Sequence, residues 1–132
     1  MFDVKKAVHK AEEGSVLKLK DEHGNPAMAE NGQQAWIKLA GMNSKRWREA
    51  TDTVGDRRLK RAQRSGSTTA KDMREQRSDQ CYVFGHVTLE WGGIGSDGQV
   101  LECTEENAQA LYLECPYLFA QVDEFLSDQA NF

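Results

Sequence analysis

The sequence predicts an α+β fold, an N-terminal β-hairpin packed on a small bundle of three to four helices, and three observations predict it. Val16-Leu17-Lys18-Leu19-Lys20 and Ala35-Trp36-Ile37-Lys38-Leu39 set apolar against basic or polar positions at the period of a strand with one wet face. Between them stand turn formers, Asp21-Glu22-His23-Gly24-Asn25-Pro26 and Asn31-Gly32, so the two strands pair antiparallel. After Thr104, apolar residues recur at Ala108, Leu111, Tyr112 and Cys115, the spacing of one helix face.

Taken in order, Phe2, Val4, Ala7 and Val8 form a weak helical stripe that stops near Gly14. The hairpin region covers 15–41, and its two strands need helices beneath them because a lone hairpin is marginal in water. Asn43-Ser44 caps a basic helix over 44–64 whose sparse apolar positions are Trp47, Ala50, Val54 and Leu59, with Gly55 weakening its middle. Ser65-Gly66-Ser67-Thr68-Thr69 reads as a flexible connection. Residues 70–128 form the C-terminal helical region. The β-branched and aromatic run Tyr82–Val87 suits a strand as well as a helix; helix is favoured, running through Met73, Phe84 and Val87 as far as Trp91, since these share one broad face and no nearby partner strand is evident. A glycine turn follows, then the helix opened by Thr104. Pro116 ends that helix and opens another whose stripe is Leu118, Val122, Phe125 and Leu126. Each is too short to be stable alone, so their stripes meet the rest of the chain or a partner.

At 132 residues the chain fits a single domain, 1–132, able to bury a real core. Apolar residues make up 39% and charged residues 29%, and the mean hydropathy of -0.71 gives a polar but foldable composition. No apolar run is long enough to span a bilayer, and Met1-Phe2-Asp3-Val4-Lys5-Lys6 lacks the apolar segment of a signal peptide, which predicts a cytoplasmic protein without a membrane partner. Cys81, Cys103 and Cys115 are odd in number and widely spaced, so they read as reduced thiols lining the core. Charge is strongly asymmetric. All 17 Lys and Arg precede position 78, and the charged residues after it are all acidic, a dipole in sequence that either lets the two halves attract one another in the fold or drives head-to-tail association between copies as a homo-oligomer.

The motifs argue against chemistry. Gly93-Ile94-Gly95-Ser96-Asp97-Gly98 has the spacing of a dinucleotide-binding loop, but no helix opens directly on it and the surrounding half has no basic residue, so it reads as a turn and no cofactor is expected. Glu12/Glu13 and Glu105/Glu106 are adjacent pairs that point apart on a helix, the latter complementing the helix dipole. The histidines His9, His23 and His86 are scattered among the cysteines with no catalytic or metal spacing, so neither an enzyme nor a metal site is expected. Arg57, Arg58, Lys60, Arg61 and Arg64 form a basic patch. It suits phosphate, but also a solvated helix face answering the acidic half, and with a pI near 5.4 nucleic acid is the less favoured partner. Trp91, Leu118, Phe119, Val122 and Phe125 are the candidate partner-binding residues, weighed against a plain core role that they and Phe132 also fit.

The order of these blocks resembles a known family. A lysine-rich strand with Asp21 and Gly24-Asn25-Pro26, the run Gly41-Met42-Asn43-Ser44-Lys45-Arg46, a Trp91-Gly92-Gly93 turn, Asp97-Gly98, Cys103-Thr104-Glu105-Glu106-Asn107-Ala108 and a Pro116-opened helix ending Gln121-Val122-Asp123-Glu124-Phe125 are similar to the tail assembly chaperones of long-tailed, siphovirus-type bacteriophages. The likeness covers about residues 15–126. It implies a non-enzymatic viral protein of the host cytoplasm, absent from the mature virion. Such a protein binds the tape measure protein and keeps its apolar helices soluble while tail tube protein assembles around it. Two other readings stand beside it, a nucleic-acid-binding phage accessory protein using the basic patch and a structural tail component.

Overall fold

A computed structural model describes residues 1–64 and 70–132, and its architecture is α+β. Helix α1 (Val4–Glu13) starts where the Asp3 carboxylate accepts the Lys5 and Lys6 N–H groups, and it stops at Gly14, whose φ of +80° ends the helical path. The chain then enters β1 (Ser15–Lys18), which pairs antiparallel with β2 (Trp36–Leu39), Leu17 opposite Ile37. The expected hairpin is present.

A third strand joins it. The helix expected to reach Trp91 is α3 (Ala70–Val87), and it ends one residue before β3 (Thr88–Gly92), which pairs antiparallel with β2 in the order β1-β2-β3. Ile37 therefore faces Leu17 on one side and Trp91 on the other. The β-branched and aromatic residues at the end of α3 fit either structure locally, and what decides is the open edge of β2, a partner remote in sequence.

Between β1 and β2 the chain does not run as one long loop. Leu19 N–H donates to Ala35 O at 2.9 Å, Ala35 N–H to Ala27 O at 2.7 Å, and Ala27 N–H to Leu19 O at 3.0 Å. Three backbone segments thus meet in a closed ring of hydrogen bonds, and two short turns branch from it. In the first, the Asp21 carboxylate accepts the His23 and Asn25 N–H groups; in the second, Asn31 Oδ1 accepts the Gln33 N–H.

Helix α2 (Lys45–Arg64) is capped by Ser44, whose Oγ accepts the Trp47 N–H at 3.2 Å and donates to Gly41 O at 2.6 Å. After β3 comes a tight hairpin, β4 (Gly95–Ser96) with β5 (Gln99–Val100), turned by Asp97 and Gly98 at φ +53° and +78°. Thr104 then caps α4 (Glu105–Glu114), and Pro116 opens α5 (Pro116–Ser127), which a 3₁₀ turn (Gln129–Asn131) follows. Cap, proline and stripe lie where the sequence places them.

The core lies between the sheet and α3, α4 and α5. Ile37, Leu39, Val87, Tyr112, Val122 and Leu126 are its largest sealed side chains, with the Cys81 thiol among them. Full burial of each apolar side chain stabilises by about 1.5–3 kcal/mol. Helix α4 approaches α3 at Gly85, where an added Cβ would lie 2.5 Å from Gln109 Cγ and 3.2 Å from Gln109 N. Only glycine admits that approach.

Two expected core positions lie outside. Leu59 is 65% and Met73 67% exposed, because α2 and α3 extend past the layer that covers Ala50, Val54 and Phe84. There the two helices are tied by charge. Asp79, 2% exposed, receives the Arg61 guanidinium and lies 3.8 Å from Arg58 Nε, and Arg61 Nε also reaches Glu75 at 2.9 Å. The flexible connection expected at 65–69 lies outside the described residues. Among the described residues no helix is long and apolar enough to cross a membrane.

Candidate functional site

The five residues expected to meet a partner are placed mainly inside. Trp91, Leu118, Phe119 and Val122 are buried, and Phe125 is half-buried against Phe132, ring centroids 5.6 Å apart. The C-terminal stripe therefore meets this chain's own core rather than solvent, for α3 and the sheet cover it. Trp91 is held at its polar end too, its indole N–H donating to Leu101 O at 2.8 Å.

The basic patch is partly answered within the fold, with Arg61 half-buried and Arg57, Arg58 and Lys60 exposed. Arg58 and Arg61 meet Asp79, and the Arg57 guanidinium lies 4.3 Å from the Tyr82 ring centroid. Lys60 is exposed, and the Arg64 side chain lies outside the described residues. The residues that spend this charge, Asp79 and Tyr82, stand on α3 and carry no sequence signal of the pairing.

His9 and His23 each meet one neighbouring glutamate at the surface, while His86 meets two from other helices. His86 Nε2 is 3.3 Å from Glu49 Oε2, while its buried Nδ1 sits 3.2 Å from Glu105 Oε1 without hydrogen-bond geometry, and the Arg46 guanidinium donates to His86 O at 3.1 Å. This cluster ties α2, α3 and α4 together on the helical surface. Glu105 thus has a tertiary contact besides its place in the first turn of α4.

A concavity lies elsewhere, a cleft of about 420 Å³ between the second turn of the strand junction and the β4–β5 hairpin. Met28 (58% exposed) and Val100 (93% exposed) present apolar surface there, with half-buried Ile94. Glu30, Asn31 and Gln99 add polar groups. Gly93 draws the two walls together: its φ is +75°, and an added Cβ would stand 3.1 Å from Ala29 Cβ. The glycine-rich stretch thus shapes a tight turn, as expected, and the next helix begins only at Glu105. Glu30 is the one charged side chain among the lining residues, and Met28, Ile94 and Val100 give the cleft its apolar surface.

Sequence reasoning passed over Met28 and Val100, isolated apolar residues in otherwise polar turns. Their only signal is that isolation, an apolar side chain with no periodic partner. Among the described residues no group of histidine, cysteine and carboxylate side chains is arranged to hold a metal ion. Burial pushes the Cys81 and Cys103 thiols above their usual value, which disfavours the thiolate and suits packing over reactivity. No family model, curated protein or solved structure matches the chain.

Proposed function

We propose that this chain is a non-enzymatic assembly chaperone of long-tailed bacteriophage tails, one that binds the tape measure protein and keeps it soluble while the tail tube forms. The observation that carries the reading is the cleft between Met28 and Val100, which offers exposed apolar surface beside a single carboxylate. A holdase needs such surface together with a charged remainder that keeps the complex in solution. The blocks of the family resemblance support it in a second way. Asp21, Ser44, Asp97-Gly98, Thr104 and Pro116 are turn, cap and helix-opening residues here, so the shared order follows the layout of this fold.

In this reading the partner surface is the cleft, the exposed Leu113 and Tyr117 at the corner of α4 and α5 are further apolar surface, and the C-terminal stripe supports the fold. The arginines engaged by Asp79 and Tyr82 favour a protein partner over nucleic acid. The test is co-expression with a tape measure fragment that is insoluble alone. Recovery of the fragment in a soluble complex with this chain supports the proposal; an insoluble fragment beside abundant folded chain overturns it.

A further inference from the structure

Strand β1 is the outer strand of the sheet, and its backbone is capped in an unusual way. Gln121 on α5 reaches Lys20, just past the strand, and makes both bonds a neighbouring strand would make: the Lys20 N–H donates to Gln121 Oε1, and Gln121 Nε2 donates to Lys20 O, each at 2.8 Å. A carboxamide has the donor and acceptor of a peptide group, so Gln121 stands where a partner strand's backbone would lie. At the other end, Ser15 Oγ donates to Asn131 O.

Between these two caps the edge is open. Residues alternate along a strand, and Leu19 N–H points inward to Ala35, so the backbone groups of Val16 and Lys18 point outward as those of Lys20 do. Among the described residues they meet no hydrogen-bond partner. Against it lies a cleft of about 250 Å³ whose apolar lining is Leu17 and Phe125 and whose charged lining is Lys18, Lys20, Glu124 and Asp128, while Val16, 49% exposed, shares the solvent side of the strand with Lys18 and Lys20. Lys38 stands opposite Val16 on β2 and is itself paired across the sheet with Glu90 on β3, so the charge this edge presents is that of Lys18 and Lys20.

We propose that this edge of β1 takes up an extended peptide segment as a fourth strand, with an apolar side chain entering the cleft beside Leu17 and Phe125 and an acidic one opposite Lys18. The backbone supplies affinity and the alternating side chains supply selection, as in other additions of a strand to a sheet edge. Lysines on an edge repel a strand of like charge, so β1 of a second copy is a poorer occupant than an acidic, apolar-alternating one. The inference is independent of the chaperone proposal, which rests on the other cleft.

The probe is a fluorescein-labelled seven-residue peptide of alternating glutamate and valine, blocked at both ends, titrated into the intact chain by anisotropy and by backbone amide NMR. Saturable binding is expected, with the largest shifts at Val16 and Lys18. Lys18→Pro deletes one outward N–H at an edge position where proline is tolerated, so it should weaken binding at least tenfold with an unchanged circular dichroism spectrum. Gln121→Ala frees the Lys20 groups and should tighten binding several-fold. Absence of saturation up to about 1 mM, equal affinity in a folded Lys18→Pro chain, or equal affinity of the unaltered chain for a peptide N-methylated at alternate residues would each overturn the proposal. The last comparison stands whether or not the proline variant folds.

Discussion

The Tyr112 hydroxyl donates to Thr88 Oγ1 at 2.7 Å in the core, joining α4 to the residue where α3 gives way to β3. The direction follows from Thr88 itself, whose single hydroxyl proton goes to Phe84 O at 2.7 Å. The Tyr112 ring also meets Phe84 edge-on, centroids 6.4 Å apart.

Burial, only partly offset by the Thr88 hydrogen bond, pushes the Tyr112 phenol well above its ordinary value of 10. The folded chain therefore holds a proton that the unfolded chain releases first, so stability is complete below about pH 10 and falls as pH rises beyond it. Urea unfolding followed from about pH 8 to about pH 11 should show that decline. Tyr112→Phe should cost about 1 kcal/mol at neutral pH and make the alkaline decline shallower; an equally steep decline in the variant would assign it to other groups.

Asp79 should anchor the outer part of the helical hairpin. Leu59 and Met73 are exposed, and the ion pairs of Asp79 with Arg61 and Arg58 join the two helices there. Asp79→Ala is expected to cost about 2 kcal/mol, Arg61 keeping Glu75 in partial compensation. Hydrogen exchange should quicken at the end of α2 and the start of α3, while α4 and α5 stay protected; uniform loss of protection would mean that Asp79 supports the whole core.

Two helical glycines should respond in opposite senses. Gly85→Ala drives a Cβ into Gln109 and its backbone, so it should destabilise by about 1–3 kcal/mol. A Cβ at Gly55 meets nothing within 4 Å, and Gly55→Ala should stabilise by about 0.5–1 kcal/mol through helix propensity. Chemical denaturation of the two variants checks both signs.

What the sequence made legible is local. Ser44 and Thr104 cap helices because a short hydroxyl side chain reaches an unpaired N–H two or three residues on, and Pro116 opens α5 because a first turn needs no donor. Asp97-Gly98 turns a hairpin because both residues adopt positive φ. What stayed hidden depends on remote partners. The change to strand at Thr88 depends on β2, and the ring of Leu19, Ala27 and Ala35 joins three segments that read singly as strand or turn. Periodicity marked Leu118 and Val122 as an apolar face, yet whether such a face meets its own chain or another is settled only by α3 and the sheet. For the same reason Met28 and Val100, which belong to no stripe, were invisible as surface.

The central claim is that the cleft between Met28 and Val100 holds the partner. Its most direct test co-expresses a tape measure fragment with the native chain, with a Met28→Asp/Val100→Asp variant and with a Leu126→Ala variant, and measures soluble fragment per folded chain. Both cleft residues are exposed, so the double variant should keep its stability and lose the fragment, whereas Leu126→Ala, at a sealed position, should cost about 2–5 kcal/mol yet retain binding in whatever fraction folds. A stable double variant that solubilises the fragment as well as the native chain would contradict the account.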